Sequence, residues 1–219
     1  MQEFLKVTGM VIGVFAQGEY DRRITLLTRE RGKITAFVKS ARRQGSRFLG
    51  TTDMFAFGTF DLFVGRTSYN VQNAEILNFF ENFRTDCEGA YYGMYFAELA
   101  DYYALENNDE SELLLLLYRA LQGLKSERLS NDFVRRVYET KLFMIEGEFI
   151  PAINAGSFSD GLYQTLDYIQ GSTIEKLFNF KLSDKLFSEL TEVADYERKH
   201  LVDRNMASLD ILNTMTMSE

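Results

Sequence analysis

Hydrophobic and polar positions alternate along about the first 80 residues, and a period of two is typical of β-strands. Five segments rich in β-branched and aromatic residues are separated by turn-forming stretches that contain glycine. The predicted strands are residues 4–15, 22–28, 33–39, 54–64 and 69–78. They predict a small barrel, and the long gap at residues 40–53 lies where a five-stranded OB barrel has its crossover. An SH3-like barrel is the alternative.

From about residue 84 the period changes to that of α-helices. Tyr91, Tyr95, Leu99 and Tyr102 recur at intervals of three and four residues, which predicts a helix over residues 85–105 with one apolar face. The change of period predicts a mixed β and α fold. An N-terminal five-stranded OB-fold barrel, residues 1–80, is followed by an α-helical domain, residues 81–219.

Capping signals locate the remaining helices. Asp109 with Glu112, and Ser172 with Glu175, have the spacing of a capping box. They predict a second helix that ends near residue 124 and a short helix that ends at residue 178. Ser130 caps a third helix that stops near Gly147, and Pro151 follows that stop. Two more helices are predicted at residues 183–202 and 207–215.

The chain has 219 residues, of which 46% are hydrophobic and 26% are charged, as in ordinary globular proteins. A single cysteine, Cys87, excludes an internal disulfide and suits a reducing compartment. With one cysteine and one histidine, His200, the chain lacks the ligands for a tetrahedral zinc site, so we expect no metal and no cofactor. The start of the chain has no leader-like pattern, and the longest apolar run, residues 113–117, is too short to span a bilayer. We therefore expect a cytoplasmic protein without membrane contact.

Positive charge is concentrated in one short window. The chain carries a net charge of −8, but nine of its 24 basic residues lie between Arg22 and Arg47, with Glu30 as the one acidic residue there. An acidic protein with one basic face repels nucleic acid everywhere else, so the window indicates a polyanionic partner. The alternative is that these cations keep exposed strand edges soluble and unpaired.

The third predicted strand has two different faces. A period of two separates an apolar set, typical of a barrel core, from a mixed set. The apolar set is Ile34, Ala36 and Val38, and the mixed set is Lys33, Thr35, Phe37 and Lys39. A ring between two cations suits single-stranded nucleic acid, since cations bind phosphates and a ring stacks on a base, for about 1–3 kcal/mol. Alternatively, Phe37 packs under the helical domain.

Arginines extend this candidate site into neighbouring turns. Three of them follow the third strand in a segment with Gln, Gly and Ser, which suits a mobile phosphate clamp because guanidinium groups bind phosphate bidentately. Another lies in the last hairpin turn, where OB folds carry a second ligand-binding loop. The predicted DNA-binding residues are Arg22, Arg23, Arg29, Lys33, Phe37, Lys39, Arg42, Arg43, Arg47 and Arg66.

Catalytic patterns are sparse. One cysteine and one histidine far apart in sequence do not form a nucleophile pair with an orienting group, and no phosphate-binding glycine loop is present. The carboxylates of the helical half are scattered beside basic residues, which is typical of solvated helix faces. We expect no enzyme activity and no catalytic residues. A magnesium-dependent nuclease is the alternative that composition leaves open.

Residues 18–43, GEYDRRITLLTRERGKITAFVKSARR, resemble the opening of the bacterial recombination-repair family RecO. That family has a GE-D turn, an LLT-E-GK hairpin and a K-G-A-R-R tail. The order of parts is also similar, an OB barrel followed by helices, and the specific resemblance covers about residues 12–50. Two features differ from the family pattern. Ser40 stands where glycine is usual, and residues 150–166 contain no cysteine where many members carry a four-cysteine zinc module.

The resemblance implies mediation of DNA recombination without covalent catalysis. Such a protein binds single- and double-stranded DNA and anneals complementary strands coated by single-strand-binding protein. It works with a RecR-like partner to load RecA, in the cytoplasm at the nucleoid. A dense cationic patch screens the repulsion between two phosphate backbones. The alternative is an OB-fold interaction scaffold whose basic patch binds acidic peptides, such as the tail of a single-strand-binding protein.

Overall fold

Five strands form a closed barrel at the start of the chain, in a computed structural model that describes residues 4–66, 68–149 and 158–216. The strands are β1 (Phe4–Gln17), β2 (Asp21–Thr28), β3 (Gly32–Val38), β4 (Phe57–Val64) and β5 (Tyr69–Asn78). The five predicted strands are confirmed, with ends that shift by up to three residues.

The order of strands around the barrel is β1-β2-β3-β5-β4, and β1 closes the barrel by pairing with both β2 and β4. β3 and β5 are the one parallel pair among the pairings of the described strands. Residues 39–56 are a series of turns between β3 and β4, as an OB barrel requires at its crossover. The OB prediction is therefore confirmed over the SH3-like alternative.

The barrel core follows from strand alternation. Ile34, Ala36 and Val38 are buried, as predicted, with Ile24, Leu26, Phe60 and Leu62 from the neighbouring strands. β1 is long enough to pair twice because a bulge between Val11 and Gly13 bends it around the barrel. Alternate residues of β2 and β3 face outward, so the core fixes which side chains are available for binding.

Within the described residues, six α-helices follow a short 3-10 helix, Glu81–Arg84. They are α1 (Cys87–Tyr103), α2 (Ser111–Gly123), α3 (Asn131–Ile145), α4 (Asp160–Gly171), α5 (Asp184–Leu201) and α6 (Ala207–Thr216). Five of them match predictions. The sequence argument missed α4, and the short helix predicted up to residue 178 is wrong, because residues 173–178 form turns after α4. Pro151 lies outside the described residues.

The predicted cap at Ser130 is confirmed, and Ser183 forms a second cap that was not predicted. Ser130 accepts a hydrogen bond from the Phe133 amide (3.2 Å), and Ser183 accepts one from the Leu186 amide (3.4 Å). The predicted capping box at Asp109 is wrong, since α2 begins at Ser111 and Asp109 Oδ1 accepts from the Ser111 amide at 3.0 Å. Hydrogen bonds from Ser111 lower the pKa of Asp109.

The contacts divide the chain into two compact units. The barrel unit is Met1–Asp86 with Ala97–Leu114, and the helical unit is Cys87–Phe96 with Leu115–Glu219. Residues 105–107 belong to the barrel unit because they form backbone hydrogen bonds with the start of β3. The Leu105 carbonyl accepts a hydrogen bond from the Lys33 amide, and the Asn107 amide donates one to the Arg31 carbonyl. The division of the chain predicted at residue 80 stays a prediction.

α3 carries charges into the interior of the helical unit. Arg135, Arg136 and Glu139 are buried. Glu139 accepts from Arg135 Nε at 2.9 Å, from Arg136 Nη1 at 3.2 Å and from the Tyr95 hydroxyl at 2.5 Å. Arg136 also donates to Asp195 at 2.7 Å. The interpretation of helix charges as solvated faces is therefore wrong for α3, where paired arginines and carboxylates compensate one another away from water.

A buried lysine on the same helix stabilises the end of α4. Lys141 Nζ donates to the carbonyls of Ile169, Gln170 and Ser172 at 2.9–3.2 Å. Carbonyl groups at a helix C-terminus have no partner within the helix, and the helix dipole there favours a cation.

No helix among the described residues is both long and apolar enough to cross a membrane.

Candidate nucleic-acid interface

The outward face of β3 runs from Lys33 to Phe37, and Lys39 follows directly after the strand. Phe37 is half-buried and Lys39 is exposed. Phe37 pairs with Arg23 on β2 and with Asn70 on β5, so its surroundings within the barrel unit are polar on both sides. The ring and Lys39 are accessible together in one groove.

That groove has a volume of about 480 Å³ and lies on the outside of the barrel. It is lined by Phe37, Lys39, Arg47, Phe48, Phe63, Asn70, Val71 and Gln72. Arg47 donates to the Gln72 carbonyl at 2.6 Å and lies over the Phe48 ring at 4.8 Å, which holds its guanidinium beside the groove. Flat rings, amide groups and two cations thus share one surface.

Lys33 lies at the opposite end of β3 from Lys39 and has a partner within the barrel unit. Its ammonium donates to the Asp101 carbonyl and lies 3.5 Å from the Asp101 carboxylate. Lys33 and Arg66 line a second hollow of about 550 Å³ together with Asp101 and Glu106. The predicted site residues therefore divide into two groups, and the acidic side chains make this second hollow the less favourable one for phosphate.

The three predicted arginines of β2 and its turn have different surroundings. Arg22 donates to Asp53 Oδ1 at 2.6 Å and to the Thr52 hydroxyl at 3.2 Å, which ties β2 to the crossover loop. Arg29 is paired with Glu30 at 3.0 Å. Arg23 is exposed and lies over the Phe15 ring at 4.6 Å. Of the three, Arg23 presents its charge to solvent without a carboxylate at salt-bridge distance.

The loop after β3 exposes the Arg42, Arg43 and Arg47 side chains while its backbone is anchored. The Arg42 amide donates to the Tyr20 carbonyl at 2.8 Å, and the Arg43 guanidinium lies 4.8 Å from the Tyr20 ring centre. Ala41 and Phe48 are buried in the barrel core. An anchored backbone reduces the conformational entropy lost when the exposed guanidinium groups bind phosphate, which differs from the mobile clamp that the sequence suggests.

Ser40 occupies the position where the family usually has glycine. Its φ is 55°, in the left-handed region that favours glycine, and its amide donates to Asp21 Oδ1 at 2.7 Å. The serine therefore adopts the turn at the end of β3 at a conformational cost of about 1 kcal/mol.

Sequence reasoning missed the contribution of β4 and β5 to this surface. Phe63, Asn70 and Gln72 line the groove beside Phe37. Strand alternation alone gives their outward direction, but their neighbours depend on the parallel pairing of β5 with β3. An OB topology implies that β3 and β5 pair in parallel. The OB prediction therefore already contained the information needed to find these neighbours.

No group of three or more His, Cys, Asp or Glu side chains in the described ranges is arranged to hold a metal ion. Cys87 is exposed, and His200 Nδ1 lies 2.7 Å from the Tyr196 carbonyl with its ring stacked on Tyr196. The strongly raised pKa values belong to buried groups of the helical unit, three tyrosines and Arg135 beside the Glu139 carboxylate. Burial, with a smaller contribution from the Asp132 charge, raises the pKa of Tyr92 to about 12.

Known proteins share both parts of this chain. The family model described as recombination protein O N terminal matches residues 1–80, and recombination protein O C terminal matches residues 84–149. A DNA repair protein RecO from Acetivibrio thermocellus is 28% identical over 97% of each chain. Another from Clostridium novyi is 24% identical over 98% of this chain and 95% of its own. A third, from Alkaliphilus metalliredigens, is 33% identical over 65% of this chain and 58% of its own. With an OB barrel, a helical part and these matches along nearly its whole length, the chain belongs to the RecO family of DNA repair proteins.

Proposed function

We propose that this protein is a recombination mediator that binds single-stranded DNA on the outer face of its barrel and anneals complementary strands. The observation that carries the proposal is the exposed arginine loop, Arg42, Arg43 and Arg47, next to the aromatic groove at Phe37. Phosphates bind the guanidinium groups and bases stack on the rings, which is how single-strand binders combine affinity with tolerance of sequence.

Annealing requires two phosphate backbones to approach each other. The arginine loop, Lys39 and Arg23 supply positive charge locally, while the remainder of the protein is acidic. A local cationic patch screens repulsion between the strands, and an acidic body limits how much DNA each protein covers. Duplex DNA binds the same cations through its phosphates. We include it as a second ligand of this face.

The salt dependence of binding tests this proposal. With four to six phosphate contacts, the affinity for single-stranded DNA plotted against salt on logarithmic axes should have a slope of about −3 to −4. A strand-annealing assay, with and without single-strand-binding protein on the DNA, then separates a mediator from a plain DNA binder. A flat salt response contradicts DNA binding, and the absence of annealing contradicts mediation.

The remaining partners are part of the proposal. The family resemblance supports a RecR-like protein that joins this chain in loading RecA, and a role at the nucleoid without covalent catalysis. Incubation with labelled DNA and magnesium tests the nuclease alternative, and cleavage that depends on the protein contradicts the mediator proposal.

Binding of an acidic peptide, such as the tail of a single-strand-binding protein, is a second candidate function. One observation in the helical unit favours it, a hollow of about 240 Å³ whose lining includes three phenylalanines, two cations and a single carboxylate, Asp184, within an otherwise acidic half of the chain. Its aromatic and basic side chains are Phe133, Phe180, Phe187, Arg128 and Lys181. Titration of an acidic tail peptide against the protein and an Arg128→Ala, Lys181→Ala variant measures this binding separately from DNA binding.

A further inference from the structure

One row of residues crosses all five strands on the outside of the barrel, and four of its six members are phenylalanines. Each member is the direct cross-strand partner of the next. The row is Phe15 (β1), Arg23 (β2), Phe37 (β3), Asn70 (β5), Phe63 (β4) and Phe4 (β1). The two ends lie on the same strand, because β1 pairs with β2 through its second half and with β4 through its first half.

The side chains of this row face outward. Paired residues in neighbouring strands share a face, and the positions next to the row, such as Ile24, Val38 and Leu62, are buried in the core. Phe4 is 66% exposed and Phe15 is 48% exposed, while Phe37 and Phe63 are half-buried. Four accessible rings on one row of a small barrel need an explanation, since outward positions of a solvated sheet are normally polar.

Two neighbouring pairs of side chains in the row are in contact, and three of its members share one groove. The rings of Phe4 and Phe63 lie 5.8 Å apart, edge to face, and the Arg23 guanidinium covers the Phe15 ring at 4.6 Å. Phe37, Asn70 and Phe63 line the groove that also contains Lys39 and Arg47. The row therefore combines rings and polar groups on one outward line of paired residues, and it contains no carboxylate.

The adjacent outward row has a different composition. Gly13, Thr25 and Thr35 are cross-strand partners on β1, β2 and β3 and provide no ring. On these three strands the rings thus lie on the phenylalanine row and not on the adjacent one, and cations accompany the phenylalanine row at Arg23, Lys39 and Arg47. The centre of a protein–protein interface is usually depleted of charged residues, whereas a binding site for single-stranded nucleic acid combines rings with cations. The mixture of rings and cations on this row therefore favours single-stranded nucleic acid.

We infer that this row is a base-stacking track, along which single-stranded DNA runs across the strands with bases on the phenylalanine rings and phosphates on the flanking cations. The inference rests on the proposed function and adds Phe4, Phe15, Phe63 and Asn70 to the site. Five interstrand steps of about 4.8 Å give the track a length of roughly 24 Å. This length suits about four nucleotides, the low end of the site sizes of OB folds. The Asn70 amide, between two rings, offers a donor and an acceptor to a base edge.

A comparison of normal and abasic DNA isolates the stacking contribution. We would measure, by fluorescence anisotropy, the binding of a labelled thymidine 12-mer and of an abasic 12-mer, which has the same phosphates but no bases. The protein should bind the thymidine strand about tenfold or more tightly than the abasic strand. A Phe4→Ala, Phe15→Ala variant should lose about tenfold for the thymidine strand and nothing for the abasic strand. Both rings are substantially exposed, so the fold tolerates their removal.

Two further variants keep the test interpretable. Phe37→Leu removes a flat ring but retains apolar volume and should lose affinity for the thymidine strand alone, with an unchanged salt slope. Phe79→Ala removes an exposed ring outside the row, and it should bind both strands as the unmodified protein does.

The outcomes separate the two proposals. Binding of neither strand by the unmodified protein contradicts the proposed function itself. Salt-dependent binding that is equal for the two strands and unaffected by the row variants leaves DNA binding intact and overturns the stacking track. Equal loss for both strands in the row variants also overturns it, because the rings would then act on phosphate binding or folding.

Discussion

Arg42, Arg43 and Arg47 in the barrel unit have exposed side chains, whereas Arg135 and Arg136 in the helical unit are buried and bonded to Glu139 and Asp195. The same side chain thus has two roles. Near the surface, guanidinium groups on an anchored loop are available to an anionic ligand. In the interior, they stabilise the fold only as long as every carboxylate partner stays in place.

The difference follows from the neighbouring residues. The barrel arginines lie in a window with one acidic residue, so most have no carboxylate within reach. Those of α3 have Asp132 and Glu139 at intervals of three and four residues, on the same side of the helix. The local pattern of charge, more than the total charge, separates binding arginines from structural ones.

The largest effect is expected in the buried network. Glu139→Ala removes the carboxylate that joins both arginines and the Tyr95 hydroxyl, and should lower the free energy of unfolding by about 3–5 kcal/mol. Urea unfolding measures this change. Glu192→Ala, on the exposed side of α5, is the control and should stay within about 0.5 kcal/mol. A small loss at Glu139 would show that the network does not stabilise the helical unit.

A pH dependence is expected from the buried Tyr92. Its folded-state pKa of about 12 lies above the ordinary value of 10, so the folded state holds the phenolic proton more tightly. This stabilisation is complete below pH 10 and is lost as the pH rises toward 12. Between pH 9 and pH 11, the unmodified protein should lose about 1.4 kcal/mol more stability than Tyr92→Phe. Parallel losses in the two proteins would contradict the assignment.

Arg22 is the barrel arginine that behaves like those of α3. Its ion pair with Asp53 is mostly buried on the arginine side, with 17% of that side chain exposed. Arg22→Ala should therefore cost about 1–2 kcal/mol of stability and change DNA affinity less than Arg43→Ala does. Asp53→Ala should cost a similar amount. The double variant should cost less than the two together, and additive losses would show that the pair is not coupled.

The smallest effect is expected at Ser40. Ser40→Gly relieves a left-handed conformation and should raise the free energy of unfolding by about 0.5 kcal/mol, with unchanged DNA affinity. Thermal unfolding measures the gain. A lower free energy of unfolding in the variant would contradict this prediction. It would mean that the serine side chain stabilises the fold by more than its left-handed backbone conformation costs.

Sequence patterns predicted the barrel better than the helical unit for a physical reason. Alternation of residues 33–39 distinguishes the core residue Ala36 from the outward Phe37, because strand faces are set by a period of two. The aromatic row was not predictable in the same way, since it requires the register between strands that are distant in the chain. α4 was missed although its buried residues Leu162, Leu166 and Ile169 have helical spacing. The burial of Glu139 was missed because a charge beside opposite charges resembles a solvated face.

The salt dependence of an arginine-loop variant tests most directly whether the barrel face holds the DNA. An Arg42→Ala, Arg43→Ala variant should bind single-stranded DNA with a logarithmic salt slope smaller in magnitude by about 1.4, as two phosphate contacts are lost. Lys125→Ala with Arg128→Ala in the helical unit removes the same charge and should leave the slope unchanged. An unchanged slope in the loop variant, or an equal decrease in the helical variant, would contradict the assignment of the DNA-binding face to the barrel.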